Sequence, residues 1–282
     1  MLDFEKIGIV ALERAFEVHE SLGKSGEKKI QKNQFGQTAL KVDLDCEKAV
    51  IDTFREEKIP LRIISEEHGT VDIMKNPKYL AVLDGLDGTK EYKQNRGKGR
   101  YATMFAIFSN INPKYNDYLF CGVMEHSTKK LFFVSKGKGS FIFSNGKRKT
   151  IHCSNTKELT KRIKIYADEE FDKNRDITFL NDTFLSKLKG YKFLHESSSA
   201  VHYIDLAQGK ADLVLECTRK GNLEITTAYG LVKEAGGVMV GMNGVSLGNK
   251  KYLEFGQKDY VPVVTASTIE LANELIEEVK RS

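Results

Sequence analysis

No apolar stretch in this sequence reaches the roughly 20 residues that a membrane-spanning helix needs, which excludes a transmembrane helix of ordinary length. The N-terminus also lacks the basic, apolar, small-residue order of a signal peptide, so a soluble, cytoplasmic protein is expected. Charge of one sign does not accumulate. Forty-four basic residues face 39 acidic ones for a net charge of +5, but the lysines are scattered and no one-sign block lies beside stacking aromatics. Nucleic acid is therefore not the expected partner. Cysteine is sparse: Cys46, Cys121, Cys153 and Cys217 stand far apart, without the CxxC pairing of a zinc or thioredoxin-like site or the density of a disulfide scaffold. They read as reduced, partly buried thiols. The histidines, His195 and His202 included, show no metal-ligand spacing, and no Ser or Cys nucleophile motif accompanies them, so none is assigned chemistry.

What is present is the length and patterning of two packed subdomains, since 282 residues exceed the usual single-core size. Phe4 to about His19 places Ile7, Val10, Ala11, Ala15 and Val18 at helical spacing. The Lys- and Gly-containing stretch from Ser21 to Gln37 reads as an exposed, mobile loop, and Asp45 to Glu57 as a helix stopped near Pro60. Leu61 to Ser65 and Tyr79 to Leu83 are short apolar runs that end in acidic residues. Tyr101 to Ser109, Tyr118 to Met124 and Leu131 to Ser135 predict an antiparallel meander. Beyond about Cys153, strand and helix alternate, and Ser267 with Glu270 has capping-box spacing before the last helix. The division expected is an N-terminal α+β part, 1–150, and a C-terminal α/β part, 151–282, with the site where they meet.

The most informative segment is Asp84-Gly85-Leu86-Asp87-Gly88-Thr89. Two like charges held about 4 Å apart repel by about 4 kcal/mol at the intermediate dielectric of a cleft, so convergent aspartates call for a cation. Hard oxygen ligands with retained waters and a substrate phosphate suit magnesium. An ordinary solvated turn reads equally from the two aspartates alone. Gly88 and Thr89 would open a helix whose free N–H groups face the same place. A second acidic pair, Glu66-Glu67, precedes the aspartates by one strand and one loop.

Glu66-Glu67 with Asp84, Leu86, Asp87, Gly88 and Thr89 resembles the EE and DPIDGT signatures of the inositol monophosphatase family. Asp43 and Glu47 are similar to its TxxDxxxE element, Gly137-Lys138-Gly139-Ser140-Phe141 with Asn145-Gly146 to its GxGAFxNG hairpin, and Ser198-Ser199-Ala200 to its GSA segment. Glu224-Ile225-Thr226-Thr227-Ala228 and Glu234-Ala235-Gly236-Gly237 resemble WDxAAG and EAGG. The likeness is nearest to archaeal members with combined inositol-monophosphatase and fructose-1,6-bisphosphatase activity. It implies a layered αβαβα sandwich of the sugar-phosphatase type, with an antiparallel N-terminal sheet and a mixed C-terminal one. The implied activity is Mg²⁺-dependent hydrolysis of a small phosphorylated polyol or sugar, with two or three Mg²⁺ per subunit, Mn²⁺ as a substitute, and a homodimer.

By the same resemblance, one metal would be held by Glu66, Asp84 and the Leu86 carbonyl, a second by Asp84, Asp87 and Glu224. Asp43 and Thr89, with Glu66, would orient and deprotonate the attacking water, and the Gly88 and Thr89 N–H groups would grip phosphate. Ser198, Ser199, Glu216 and Arg219, beside Lys220, would meet the polyol or a second phosphate. Gly85 stands where the family has proline, which implies a more flexible turn. Glu224 stands where it has aspartate, one methylene longer, and Leu223 replaces its tryptophan. Two alternatives stay open: Thr89-Lys90-Glu91-Tyr92 also resembles the TKEF stretch of 3'(2'),5'-bisphosphate nucleotidases, and the departures fit a catalytically degenerate ligand-binding member.

Overall fold

The computed structural model describes residues 2–167, 188, 190–258 and 260–280, without the side chain of Lys220. Apolar residues at helical spacing build α1 (Phe4–Leu22), capped by the Asp3 carboxylate on Lys6 N, and α2 (Lys41–Glu56). These two helices cover one face of an eight-stranded sheet. Its strands are β3 (Leu61–Ser65), β4 (Gly69–Asp72), β5 (Tyr79–Asp87), β6 (Ala102–Phe108), β7 (Tyr118–Glu125), β8 (Lys130–Ser135), β9 (Ser140–Ser144) and β10 (Lys147–Ile151), in the order β10-β9-β8-β7-β6-β5-β3-β4. The short helix α3 (Thr89–Asn95) follows β5.

The second half supplies β11 (Lys164–Ala167), β12 (Lys192–Leu194), α4 (Ser199–Ala207), β13 (Leu213–Cys217), α5 (Leu223–Glu234), β14 (Val238–Gly241), β15 (Pro262–Ala266) and α6 (Ile269–Lys280). Among the described residues its strands form a mixed sheet in the order β12-β11-β13-β15-β14. Alternation along the strands assigns the layers. On β6, Phe105 and Ile107 join the core with α1 and α2, whereas Met104, Ala106 and Phe108 join the core with α4 and α5. On β13, Val214 faces that same central layer, and Leu213 and Leu215 face α6. The result is the expected αβαβα sandwich, and burial on both sheet faces explains why the strands read as nearly continuous apolar runs.

Several expectations change. The stretch from Ser21 to Gln37 is structured: β1 (Lys29–Lys32) pairs antiparallel with β2 (Thr38–Leu40), and Asn33 Oδ1 accepts from Phe35 N and Gln37 N at the turn. Every residue of β1 is exposed, so no apolar alternation announced it. The first sheet is antiparallel except at β3 and β5, which run parallel. The helix α5 lies between two sheets, and Leu223 to Val232 are buried around its whole circumference. The cap of α6 is Thr268, whose Oγ1 accepts from Leu271 N at 3.2 Å, while Ser267 Oγ bonds Thr156 O instead. Cys46, Cys121, Cys153 and Cys217 are free thiols as expected, and burial pushes Cys121 up to about 12. Among the described residues no helix is long and apolar enough to cross a membrane.

Candidate metal centre

The parallel pairing of β3 and β5 places the two strand ends side by side, and Glu66 N donates to Leu83 O at 3.1 Å. Glu66 and Asp84, 18 positions apart by number, are thus neighbours for a topological reason. Past Asp84 the register of β5 on β6 shifts before Asp87 pairs with Ala102, so the segment is a bulged strand end, not a free turn. The bulge turns Asp84 and Asp87 toward the first turn of α5. There Asp84, Asp87 and Glu224 each offer a buried carboxylate oxygen within 4.8 Å of the others. The extra methylene of Glu224 therefore keeps it inside the cluster.

The remaining candidates surround this trio. Glu66 lies outside it but lines the same cavity of about 460 Å³, together with Leu86, Gly88, Thr89, Ser199 and Arg219. Thr89 Oγ1 is 3.3 Å from Asp43 Oδ1 and 3.1 Å from Leu86 O, so its single proton is shared between them. Asp43 also accepts from Leu40 N at 2.6 Å, closing the start of α2. Ser198 and Glu216 are not in the cavity wall. Ser198 Oγ and Ala200 N donate to Asp87 Oδ2 at 2.5 and 2.7 Å, and Glu216 accepts from Ser199 Oγ at 3.0 Å and Tyr203 Oη at 2.5 Å. Ser198 thus holds the Asp87 carboxylate, and Glu216 holds Ser199 and Tyr203. Arg219 reaches Ser199 Oγ at 3.4 Å and Glu216 at 3.7 Å. The side chain of Lys220 lies outside the described residues.

The cavity wall also includes Gln37 and Glu196, which the sequence did not single out, and His195 and His202, to which it assigned no chemistry. His202 stacks on Tyr166 with centroids 4.3 Å apart, and its Nε2 lies 2.9 Å from Glu196 O. No local spacing marks these residues, since the wall they form exists only once β12 and α4 are folded. Asn33 at the β1-β2 turn was read as loop. Its Nδ2 donates to Glu67 at 3.2 Å and Glu66 at 3.4 Å.

Electrostatics fit a cation. Burial first, then repulsion from Glu66 and Glu47, pushes Asp43 up to about 7, against the Leu40 hydrogen bond. Burial and the neighbouring acids push Glu67 up to about 8. Glu47, fully buried, is raised chiefly by burial although Ser65, His68 and two backbone N–H groups serve it. A hard-oxygen donor set in this arrangement suits Mg²⁺ or Mn²⁺. For metal-free protein a reversed pH dependence follows. Asp43 and Glu67 bind protons more tightly folded than unfolded, so their stabilising contribution is complete below about pH 4 and is lost as pH rises through about 7 and about 8. In EDTA the melting temperature should rise on the order of 5 °C between pH 8 and pH 6, and excess Mg²⁺ should flatten that slope. Calorimetry in matched buffers measures it, and a melting temperature that falls over this range in EDTA contradicts the assignment.

Gly85 proves to be a packing requirement, not a source of flexibility. A Cβ there would lie 2.3 Å from the Asp43 carbonyl oxygen and 2.6 Å from Glu47 Cγ. The missing side chain lets α2 bring Asp43 against the strand end, where the family's proline has no room. Gly85→Ala should therefore lower the melting temperature by roughly 5 °C, the usual penalty of overpacking being about 1–3 kcal/mol. An unchanged melting curve would show that α2 yields.

Comparison with known proteins bears on this geometry. The model of the Inositol monophosphatase family matches residues 4–281. The chain is 28% identical over 224 residues to the bifunctional NADP phosphatase/NAD kinase of Methanococcus maripaludis, covering 74% of this chain and 38% of that protein. It thus spans about two fifths of that relative's length. It is 26% identical over 242 residues to the fructose-1,6-bisphosphatase/inositol-1-monophosphatase of Archaeoglobus fulgidus, covering 84% of this chain and 82% of the relative. The solved structure of the Thermotoga maritima IMPase superposes with a TM-score of 0.74 at 15% identity, covering 99% of this chain and 98% of that one, a likeness of fold.

Proposed function

The chain belongs to the inositol monophosphatase family, and from that premise we propose that it is a Mg²⁺-dependent phosphomonoesterase acting on inositol monophosphate, fructose 1,6-bisphosphate or both. The observation that carries this reading is the convergence of Asp84, Asp87 and Glu224 within 4.8 Å, with Asp84 and Asp87 in the wall of a cavity that Thr89 and Arg219 also line. The metal-holding residues in this reading are Asp84, Asp87, Glu224, Glu66 and the Leu86 carbonyl. Divalent cations bound there would supply charge neutralisation at the phosphoryl oxygens and acidify the attacking water.

The chain's own groups complete the chemistry. Asp43 takes the Thr89 Oγ1 proton across 3.3 Å, and Thr89 in turn takes one from water. Gly88 and Thr89 border the space for the phosphate, and Arg219 adds positive charge to the same wall. Ser198 and the Ala200 amide fix the Asp87 carboxylate, so its orientation is set before substrate arrives. The division of labour between 1–150 and 151–282, the homodimer and the cytoplasmic location belong to the same proposal.

A second reading concerns substrate alone. The Methanococcus relative is named for NADP phosphatase activity, which favours a nucleotide phosphate, the 3'(2'),5'-bisphosphate nucleotidase reading included. Phosphate release from inositol 1-phosphate, fructose 1,6-bisphosphate, NADP⁺ and adenosine 3',5'-bisphosphate, each with Mg²⁺ and with EDTA, tests both. Hydrolysis of a nucleotide alone overturns the polyol reading. Absence of Mg²⁺-dependent release from every substrate would leave the degenerate binding member.

A further inference from the structure

A second cavity, of about 290 Å³, opens at the C-terminal end of α3 and is lined by His19, Arg96, Tyr101, His126, Ser127 and Lys129, with Glu20 among them. His19 and His126 are only 6% and 1% exposed, and their rings stack with centroids 4.2 Å apart and planes 24° from parallel. The tautomer of His126 follows from its partner. Thr103 Oγ1 gives its one proton to Gly85 O at 2.6 Å, so at 2.9 Å His126 Nε2 must be the donor to Thr103 and Nδ1 keeps a lone pair. That Nδ1 has no hydrogen-bond partner, nor has Ser127 Oγ, nor either nitrogen of His19. His19 Nδ1 does lie 3.3 Å from Glu20 Oε1, within ion-pair distance but without hydrogen-bond geometry.

Buried polar atoms without partners are unfavourable, and several gathered at one cavity imply a partner from outside the chain. A metal ion fits poorly, because imidazole lone pairs lie in the ring planes and two nearly parallel rings cannot aim them at one point. Two stacked rings can instead each donate a ring N–H to an oxygen of one anion, His126 once its Nδ1 is protonated. Arg96 and Lys129 stand on the wall, each paired with one acid, Glu27 at 3.1 Å and Glu20 at 3.4 Å, so an anion would enter by exchanging these ion-pair partners. Burial lowers the proton affinity of both imidazoles, and a charge on His19 further opposes one on His126. An anion reverses that balance by favouring a proton on His126 Nδ1.

We propose that this cavity is a second binding site, for a small oxyanion of the phosphate type, coupled to the metal centre by the chain from His126 through Thr103 to the Gly85 carbonyl. The coupling is direct, since Gly85 stands between Asp84 and Leu86 in the bulged strand end. Anion binding that reorients His126 therefore acts on the peptide that carries the Leu86 amide, itself bonded to Asp84 Oδ1 at 2.9 Å.

The test is independent of the phosphatase reading and uses metal-free protein, whose acidic cluster repels anions. Sodium sulfate is titrated against sodium chloride at equal ionic strength while the ring signals of His19 and His126 and the Leu86 amide are followed by NMR. Saturable shifts specific to sulfate are expected, with the apparent affinity lowered about ten-fold or more in the Arg96→Gln/Lys129→Met double variant. Thr103→Val should keep the histidine shifts and lose the Leu86 shift. Histidine signals that respond equally to chloride, or a sulfate response undiminished in the double variant, overturn the site. A Leu86 shift that survives Thr103→Val overturns the coupling.

Discussion

Asp87→Asn is expected to lower Mg²⁺-dependent phosphate release on the order of 10³-fold or more while leaving the fold intact. Removal of one preorganised electrostatic group commonly lowers turnover by about 10² to 10³, and loss of a metal-holding charge should do no less. The fold survives because the asparagine carbonyl oxygen can still accept from Ser198 Oγ and Ala200 N, as Asp87 Oδ2 does. Only the charge is removed, from a trio whose oxygens lie within 4.8 Å of one another. Fewer buried negative charges should also make the metal-free variant at least as stable as the wild type. Phosphate release and circular dichroism on the same preparation check both halves. A fully active variant would remove Asp87 from the site.

Arg100→Met is expected to destabilise the protein by about 3–5 kcal/mol, the usual consequence of breaking a buried ion pair by removing one partner. Arg100 binds Glu125 at 2.5 Å through Nε and both oxygens of Asp205 at 2.7 and 3.0 Å through its two terminal nitrogens. Burial pushes the Asp205 carboxyl up, but the Arg100 hydrogen bonds and charge outweigh it and hold the group below the ordinary aspartate range. In the wild type this contribution is present above the unfolded aspartate pKa and lost as pH falls through the lower folded value. Without Arg100, Glu125 is left with the Thr128 hydroxyl and Asp205 with Lys210 at 3.6 Å and the Tyr166 hydroxyl, so the deficit should shrink as pH is lowered toward 5. Methionine fills the stem volume, which separates the charge effect from a cavity. At roughly 2–4 °C per kcal/mol, the melting temperature should fall about 10 °C at neutral pH. A loss under 1 kcal/mol by urea denaturation would show that water already serves these carboxylates. Because Asp205 sits on α4, whose first residues hold Asp87, a lower kcat should accompany the lost stability.

The acidic strand ends were legible early because the signal is local. Apolar runs Leu61 to Ser65 and Tyr79 to Leu83 end in carboxylates, and the observed strands β3 and β5 begin at those residues. The β1-β2 hairpin was not legible, since its exposed residues carry no apolar period and its stability comes from contacts such as Gln34 Nε2 to Ser65 O at 2.7 Å. Gly85 was misread for a related reason: its role depends on α2, 38 or more positions upstream at Glu47, coming within contact of the strand.

By itself the sequence determined most of the apolar helices and strands and the residue types able to hold a cation, because periodicity and carboxylate chemistry are properties of short segments; the five-layer architecture was implied by the family resemblance. Only the tertiary structure decided that Glu224 joins Asp84 and Asp87, that Ser198 bonds the Asp87 carboxylate, and that His19 lies against His126. Those facts depend on distances between segments separated by up to 140 positions, from Asp84 to Glu224, and such distances are set by how layers pack.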